Sequence, residues 1–126
     1  MGIQVMFETT GIQREFIHGK KFDEQWQAHG LNDDDLKNLQ KILLGNPKIG
    51  AVIQGTGRLR KMRFGIENRG KSHSVRVCYV DFEINEKIFL VMVFAKNEME
   101  NLSAAEKNSI KLMIERLEKY FKENEK

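Results

Sequence analysis

The stretch VRVCYVDFEINEKIFLVMVF, Val75 to Phe94, decides the fold class. Valine, isoleucine, phenylalanine and tyrosine crowd both of its halves, and β-branched and aromatic side chains suit a pleated sheet. The run breaks at Glu83 to Lys87, around Asn85, so the spacing predicts two strands, Val75 to Phe82 and Ile88 to Phe94, joined by a hairpin turn. Before them, Leu59 to Phe64 reads as a third strand, preceded by a loop punctuated by Gly50, Gly55 and Gly57.

The same stretch argues against an attractive motif. Gly65-Ile66-Glu67-Asn68-Arg69-Gly70-Lys71-Ser72 matches the Walker A pattern, and Val77 to Asp81 resembles the apolar strand and acid that hold magnesium. A P-loop works because its lysine and serine open a helix whose N–H groups face the phosphates. Here a strand follows instead, in a chain short for the parallel sheet that carries such loops, so nucleotide hydrolysis is not expected.

Working outward, Ile3, Val5 and Phe7 alternate with Gln4, Met6 and Glu8, the period of an opening strand. Thr9 and Thr10 are expected to cap a helical stretch carrying Ile12 and Phe16 and, beyond a break near Gly19, Phe22 and Trp26. A second helix is predicted over 33–44: Asn32 caps it, Asp33, Asp34 and Asp35 favour its positive end, Leu36, Leu39 and Leu43 form its stripe, and Gly45-Asn46-Pro47 ends it. Ser103 and Glu106 form a capping box before Ile110, Ile114, Leu117 and Phe121, which defines an amphipathic C-terminal helix. The order β-α-α-β-β-β-α implies an α+β fold, an antiparallel sheet with helices packed against it.

A chain of 126 residues is expected to form one domain, 1–126, and 40% apolar residues with ten glycines suffice for a core. The longest apolar runs, Ile88 to Ala95 and Gly50 to Ile53, fall far short of the ~20 residues of a membrane helix. The first ten residues lack the basic-then-apolar pattern of a signal peptide, so no membrane association and a cytoplasmic location are expected. Cys78 stands alone and His18, His29 and His73 are scattered, so neither a metal nor another cofactor is expected.

Charge is concentrated in the middle. From Arg58 to Arg76 seven bases face one acid, a local +6, while the rest of the chain carries 14 bases against 17 acids, or −3. Such a block suits a phosphate-bearing partner. Strand alternation places Met62 and Phe64 on one face of Leu59 to Phe64 and Lys61 with Arg63 on the other. Arg76 joins them if the next strand pairs alongside, and Lys96, just past the last strand, reaches the same edge. Cations placed in advance stabilise the charge that builds on phosphorus oxygens when a ribose 2′-hydroxyl attacks, a reaction open to RNA and closed to DNA. For the general acid or base the candidates are His73, a lysine depressed in pKa by its cationic neighbours, and Glu98.

Gly45-Asn46-Pro47-Lys48, Val52-Ile53-Gln54-Gly55-Thr56-Gly57, Leu59-Arg60-Lys61-Met62-Arg63, Gly70-Lys71-Ser72, Arg76-Val77-Cys78-Tyr79 and Ala95-Lys96-Asn97-Glu98-Met99, followed by Leu102-Ser103, occur in an order that resembles the RelE/ParE superfamily of bacterial toxins, specifically its HigB-like branch. The resemblance implies a compact twisted antiparallel sheet with N-terminal helices and a C-terminal helix. It also implies a toxin, monomeric alone, that cuts mRNA in the ribosomal A site without metal and is neutralised by a helix-turn-helix, HigA-like antitoxin. Carried over by position, the catalytic cations fall on Lys61, Arg63, Arg76 and Lys96. His73 joins them where relatives often carry glycine, and Arg58, Arg60, Arg69 and Lys71 become contacts to RNA and the ribosome. The same fold also carries ParE-like inhibitors of DNA gyrase, and a non-catalytic RNA-binding module would use the same cations only as phosphate anchors.

Overall fold

The computed structural model describes residues 2–7, 11–66, 73–96 and 102–124. Strands β1 (Gly2–Phe7) and β2 (Gln13–His18) are followed by helices α1 (Lys20–Ala28) and α2 (Asp33–Gly45). Four strands come next, β3 (Ala51–Val52), β4 (Arg60–Ile66), β5 (His73–Phe82) and β6 (Lys87–Phe94), and then helix α3 (Ala104–Glu123). All six strands form one sheet in the order β1-β2-β6-β5-β4-β3.

The fold is α+β, as expected, with two corrections. No helix carries Ile12 and Phe16: residues 13–18 form β2, paired antiparallel with β1, and helix begins only at Lys20, while the expected caps Thr9 and Thr10 lie outside the described residues. In β2 Arg14, Phe16 and His18 all point inward. The two polar members are tolerated because Arg14 Nε donates to Asp81 Oδ1 at 2.8 Å and His18 Nδ1 meets Asp23 Oδ1 at 2.6 Å. The second correction concerns direction, since β2 lies parallel to β6, Glu15 beside Lys87 through His18 beside Leu90, while the other four pairings are antiparallel. β6 enters the sheet between β2 and β5, and the intervening helices supply the crossover that a parallel pair requires.

Helices α1 and α2 cover one face. Phe22 and Trp26, one turn apart on α1, and Leu39, Leu43 and Leu44 of α2 pack on Met62, Phe64, Val77, Tyr79 and Leu90. The α1–α2 connection is tight because Gly30 takes φ +75° and the Leu31 N–H returns to Trp26 O at 3.1 Å, a helix stop that favours glycine. On the opposite face α3 lays Ile114 and Phe121 against Leu59, Cys78, Val80, Phe82 and Phe94. Both capping boxes form, Asn32 with Asp35 and Ser103 with Glu106. No helix among the described residues is long and apolar enough to cross a membrane.

The loop leading to β3 is fastened from below. The buried Tyr79 hydroxyl donates to Pro47 O and accepts from Gly50 N–H, both at 2.9 Å. A Cβ on Gly50 would stand 3.0 Å from Lys61 O and 3.0 Å from Tyr79 Cε1, one fixed by the sheet and the other by the core. Gly50→Ala is therefore expected to cost about 1–3 kcal/mol through overpacking, read as a lower urea midpoint with an unchanged slope.

Candidate active site

β4 alternates as its sequence predicts. Met62, Phe64 and Ile66 are 8%, 4% and 6% exposed beneath the helices, while Lys61 and Arg63 stand out on the α3 face of the sheet. β5 runs antiparallel beside it, with Arg76 directly opposite Arg63 and Cys78 opposite Lys61, and Phe94 of β6 is the partner of Arg76 on its other side. Paired positions share a face, so two guanidinium groups and one ammonium group are carried on the α3 face of two adjacent strands.

Among the described residues no ion pair involves Lys61, Arg63, Arg76 or Lys96. Arg76 is only half-buried, yet its Nη1 is shut from solvent without any hydrogen-bond partner. A charged donor left without a partner costs stability, and the fold carries that cost at Arg76. The Arg63 guanidinium folds back along its own strand, its Nη1 lying 3.6 Å from where a Cβ on Gly65 would stand, an ordinary contact distance. Lys96 is exposed two residues beyond Phe94, at the same end of the sheet as Arg76. His73 opens β5 in register with Ile66, a position on the helix-covered face, so the sheet does not set it beside Arg63 and Arg76 as the sequence reading expected. Arg69, Lys71 and Glu98 lie outside the described residues, as does most of the Walker-like stretch, after which β5 occupies the place of the helix that a P-loop needs.

Arg58 and Arg60 are placed differently. Arg58 Nη2 meets Glu118 Oε2 at 2.8 Å and its guanidinium carbon lies 5.0 Å from the Phe82 ring centre, which ties α3 to the sheet. Arg60 Nη1 donates to Gly50 O at 2.7 Å and to Lys48 O at 3.3 Å, bracing the loop that Tyr79 holds. Both line a cleft of about 150 Å³ with Lys48, Val52, Asp81 and Glu83, at the start of β4. Glu83 is held below the usual carboxylate range by the hydrogen-bonded Lys48 ammonium. Neither the hydrogen bonds of the Tyr79 hydroxyl nor Glu118 as the partner of Arg58 is legible in the sequence, for neither interaction has a local signature.

A family model described as RelE toxin of the RelE / RelB toxin-antitoxin system matches residues 15–125, most of the chain. The chain belongs to the RelE toxin family. Among solved structures it is similar to a double mutant of E. coli toxin RelE in the free state, at 16% identity over 79% of this chain and 94% of that one, with a TM-score of 0.48. The assignment rests on the family model.

This RelE-family toxin carries the exposed Lys61 and Arg63 and the half-buried Arg76 on two adjacent strands, with Cys78 opposite Lys61. Burial pushes the Cys78 thiol from 9.0 up to about 12, and the nearby Lys61 ammonium offsets only part of that rise. A folded-state pKa above the unfolded one means that the native protein holds the proton more tightly. The thiol's contribution to stability is therefore whole below pH 9.0 and is lost as pH rises toward about 12. The thiol's share of the fall is about 1.4 kcal/mol per pH unit within that window. Urea midpoints at about pH 8 and about pH 11 measure it, and Cys78→Ala is expected to show the shallower decline.

Proposed function

We propose that this RelE-family toxin is a ribosome-dependent mRNA endoribonuclease of the HigB-like branch, acting in the cytoplasm on message in the A site. In this reading residues 1–126 form one toxin domain, monomeric when alone. The observation that supports it most is the convergence of Lys61, Arg63 and Arg76 on one open face with no described counter-ion, one nitrogen of Arg76 being buried and unpartnered.

The reaction is an in-line displacement. The ribose 2′-oxygen bonds to phosphorus, the bond from phosphorus to the 5′-oxygen breaks, and a 2′,3′-cyclic phosphate and a 5′-hydroxyl result. Arg76 and Arg63 face the phosphorus oxygens, where charge increases most, and their preset positions remove the need to reorganise during the reaction. Lys61 and Lys96 complete the positive field. One proton leaves the 2′-hydroxyl and one reaches the departing oxygen, and Lys61 is proposed for one of these transfers, since His73 lies in register with Ile66 on the other face. Arg58, Arg60, Arg69 and Lys71 contact ribosomal RNA, the first two through guanidinium N–H groups not used by Glu118, Lys48 and Gly50. A HigA-like helix-turn-helix antitoxin holds the toxin inactive.

The test is cell-free translation of a defined message with purified protein, in parallel with message lacking ribosomes, and new 5′ ends mapped by primer extension. In-frame cuts that appear only with ribosomes are the expected result. Intact message and continued translation at growth-arresting concentrations would reject the nuclease and direct the next assay to gyrase supercoiling.

A further inference from the structure

The loop between β3 and β4 is closed by its own hydrogen bonds. The Ile53 N–H donates to Leu59 O at 2.8 Å across its neck. Inside, the fully buried Thr56 acts as a peg: its hydroxyl donates to Ile53 O at 2.6 Å and accepts from the Leu59 N–H at 3.2 Å, and its own N–H reaches Ile53 O at 3.3 Å. The outer side of the loop is left over. Gly55 and Gly57 flank Thr56 at φ +89° and +83°, and both are exposed. Left-handed residues alternating with a right-handed one turn successive N–H groups toward one side, the arrangement of an anion-binding concavity. No hydrogen bond among the described residues uses the N–H of Gly55, Gly57 or Arg58.

Helix α3 brings charge to the same loop. The Lys107 side chain crosses Gly55, its Cδ 3.1 Å from where a Cβ would stand, and Lys111 Cγ lies 3.6 Å from the corresponding point on Gly57. The two lysines are one helical turn apart, so both ammonium groups are carried on one side of α3. Neither forms an ion pair with a described residue, not even Lys111 with Glu115 one turn beyond it. The other neighbouring acids are committed: Glu106 accepts from Ser103 N–H in the capping box, and Glu118 holds the Arg58 guanidinium. Two ammonium groups and three unspent amide donors, on a loop that Thr56 fixes in advance, suit a ligand with several oxygens and more than one negative charge. A phosphoryl group has both, whereas a carboxylate has two oxygens and a single charge.

We propose that the loop Gly55 to Arg58, together with Lys107 and Lys111, is a phosphoryl-binding site built from none of the cations Lys61, Arg63, Arg76 and Lys96. It stands independently of the nuclease reading. The phosphoryl group belongs either to a free phosphate ester or to a nucleic-acid backbone, and the chemistry that recognises it is the same.

The isotope-labelled full chain is titrated, with amide chemical shifts as the readout, against pyrophosphate, citrate and an oligodeoxythymidine without terminal phosphates, each at constant ionic strength. The oligonucleotide supplies backbone phosphates and no 2′-hydroxyl, so cleavage does not intervene. Saturable shifts at the Gly55, Gly57 and Arg58 amides are expected, with Kd below about 5 mM for pyrophosphate or the oligonucleotide. Citrate, of similar charge to pyrophosphate, should bind at least about fivefold more weakly than the better phosphoryl ligand, and Lys107→Gln/Lys111→Gln should weaken that ligand at least about tenfold. Tighter binding of pyrophosphate identifies a free ester as the source, and tighter binding of the oligonucleotide identifies a backbone. Four results overturn the site: no saturation at these amides by about 20 mM, equal affinity for citrate, undiminished binding by the double variant, or shifts confined to Lys61, Arg63 and Arg76. The citrate comparison needs no variant to fold. A protein that binds pyrophosphate here but cuts no message keeps this site and loses the nuclease.

Discussion

Arg76→Met is expected to lower ribosome-dependent cleavage about 10²- to 10³-fold, the usual loss when one preset donor to a developing oxyanion is removed. The substitution keeps the length of a half-buried side chain on β5 and deletes the guanidinium whose Nη1 has no partner. Because that nitrogen is a burden in the free protein, the urea midpoint should hold or rise while activity collapses. Ribosome binding, followed by cosedimentation, should change little, so the loss falls on the chemical step rather than on affinity. If cleavage and binding fall together by the same factor, Arg76 is only a phosphate anchor and the module reading gains. If stability falls instead, the guanidinium serves the fold.

Asp81→Ala is expected to destabilise the protein by about 3–5 kcal/mol, the cost of leaving a buried charge without its counter-ion. Asp81 accepts from Arg14 Nε at 2.8 Å and from Nη2 at 3.3 Å, and the two residues are each 8% exposed. They bridge β2 and β5 across the intervening β6, so the pair ties the N-terminal hairpin to the strand that carries Arg76. Urea unfolding of Asp81→Ala, Arg14→Met and their combination gives the coupling directly. The double variant, with neither charge left unmatched, should recover much of the loss, and an additive pair would show that the two charges act independently.

The same pair shows where sequence reading failed. Arg14 and His18 interrupt the apolar alternation of β2, and Ile12 with Phe16 has the spacing of one helical turn, so the stretch reads as helix until Asp81 and Asp23 are known to receive the two polar side chains. Asp81 lies 67 residues away from Arg14, beyond the reach of any local pattern. The parallel β2–β6 pairing was hidden for a related reason, since strand direction across a sheet is set by the path between strands rather than by their composition. In β4, β5, β6 and α3 the local signals agreed with one another, and their boundaries fall within a residue or two of those read from the sequence.

The candidate site divides along the same line. By itself the sequence determined that Lys61 and Arg63 share a face opposite Met62 and Phe64, because a strand's period of two is a local property of its backbone. It also determined that Ser103 and Glu106 start the helix that covers part of that face, since a capping box spans only four residues. Only the tertiary structure decided that Arg76 stands opposite Arg63 with one nitrogen unpartnered, and that Arg58 is tied to Glu118. The reason is physical: hydrogen-bond partners, counter-ions and strand neighbours are supplied by residues distant in the chain, and a side chain's chemistry depends on which of them arrive.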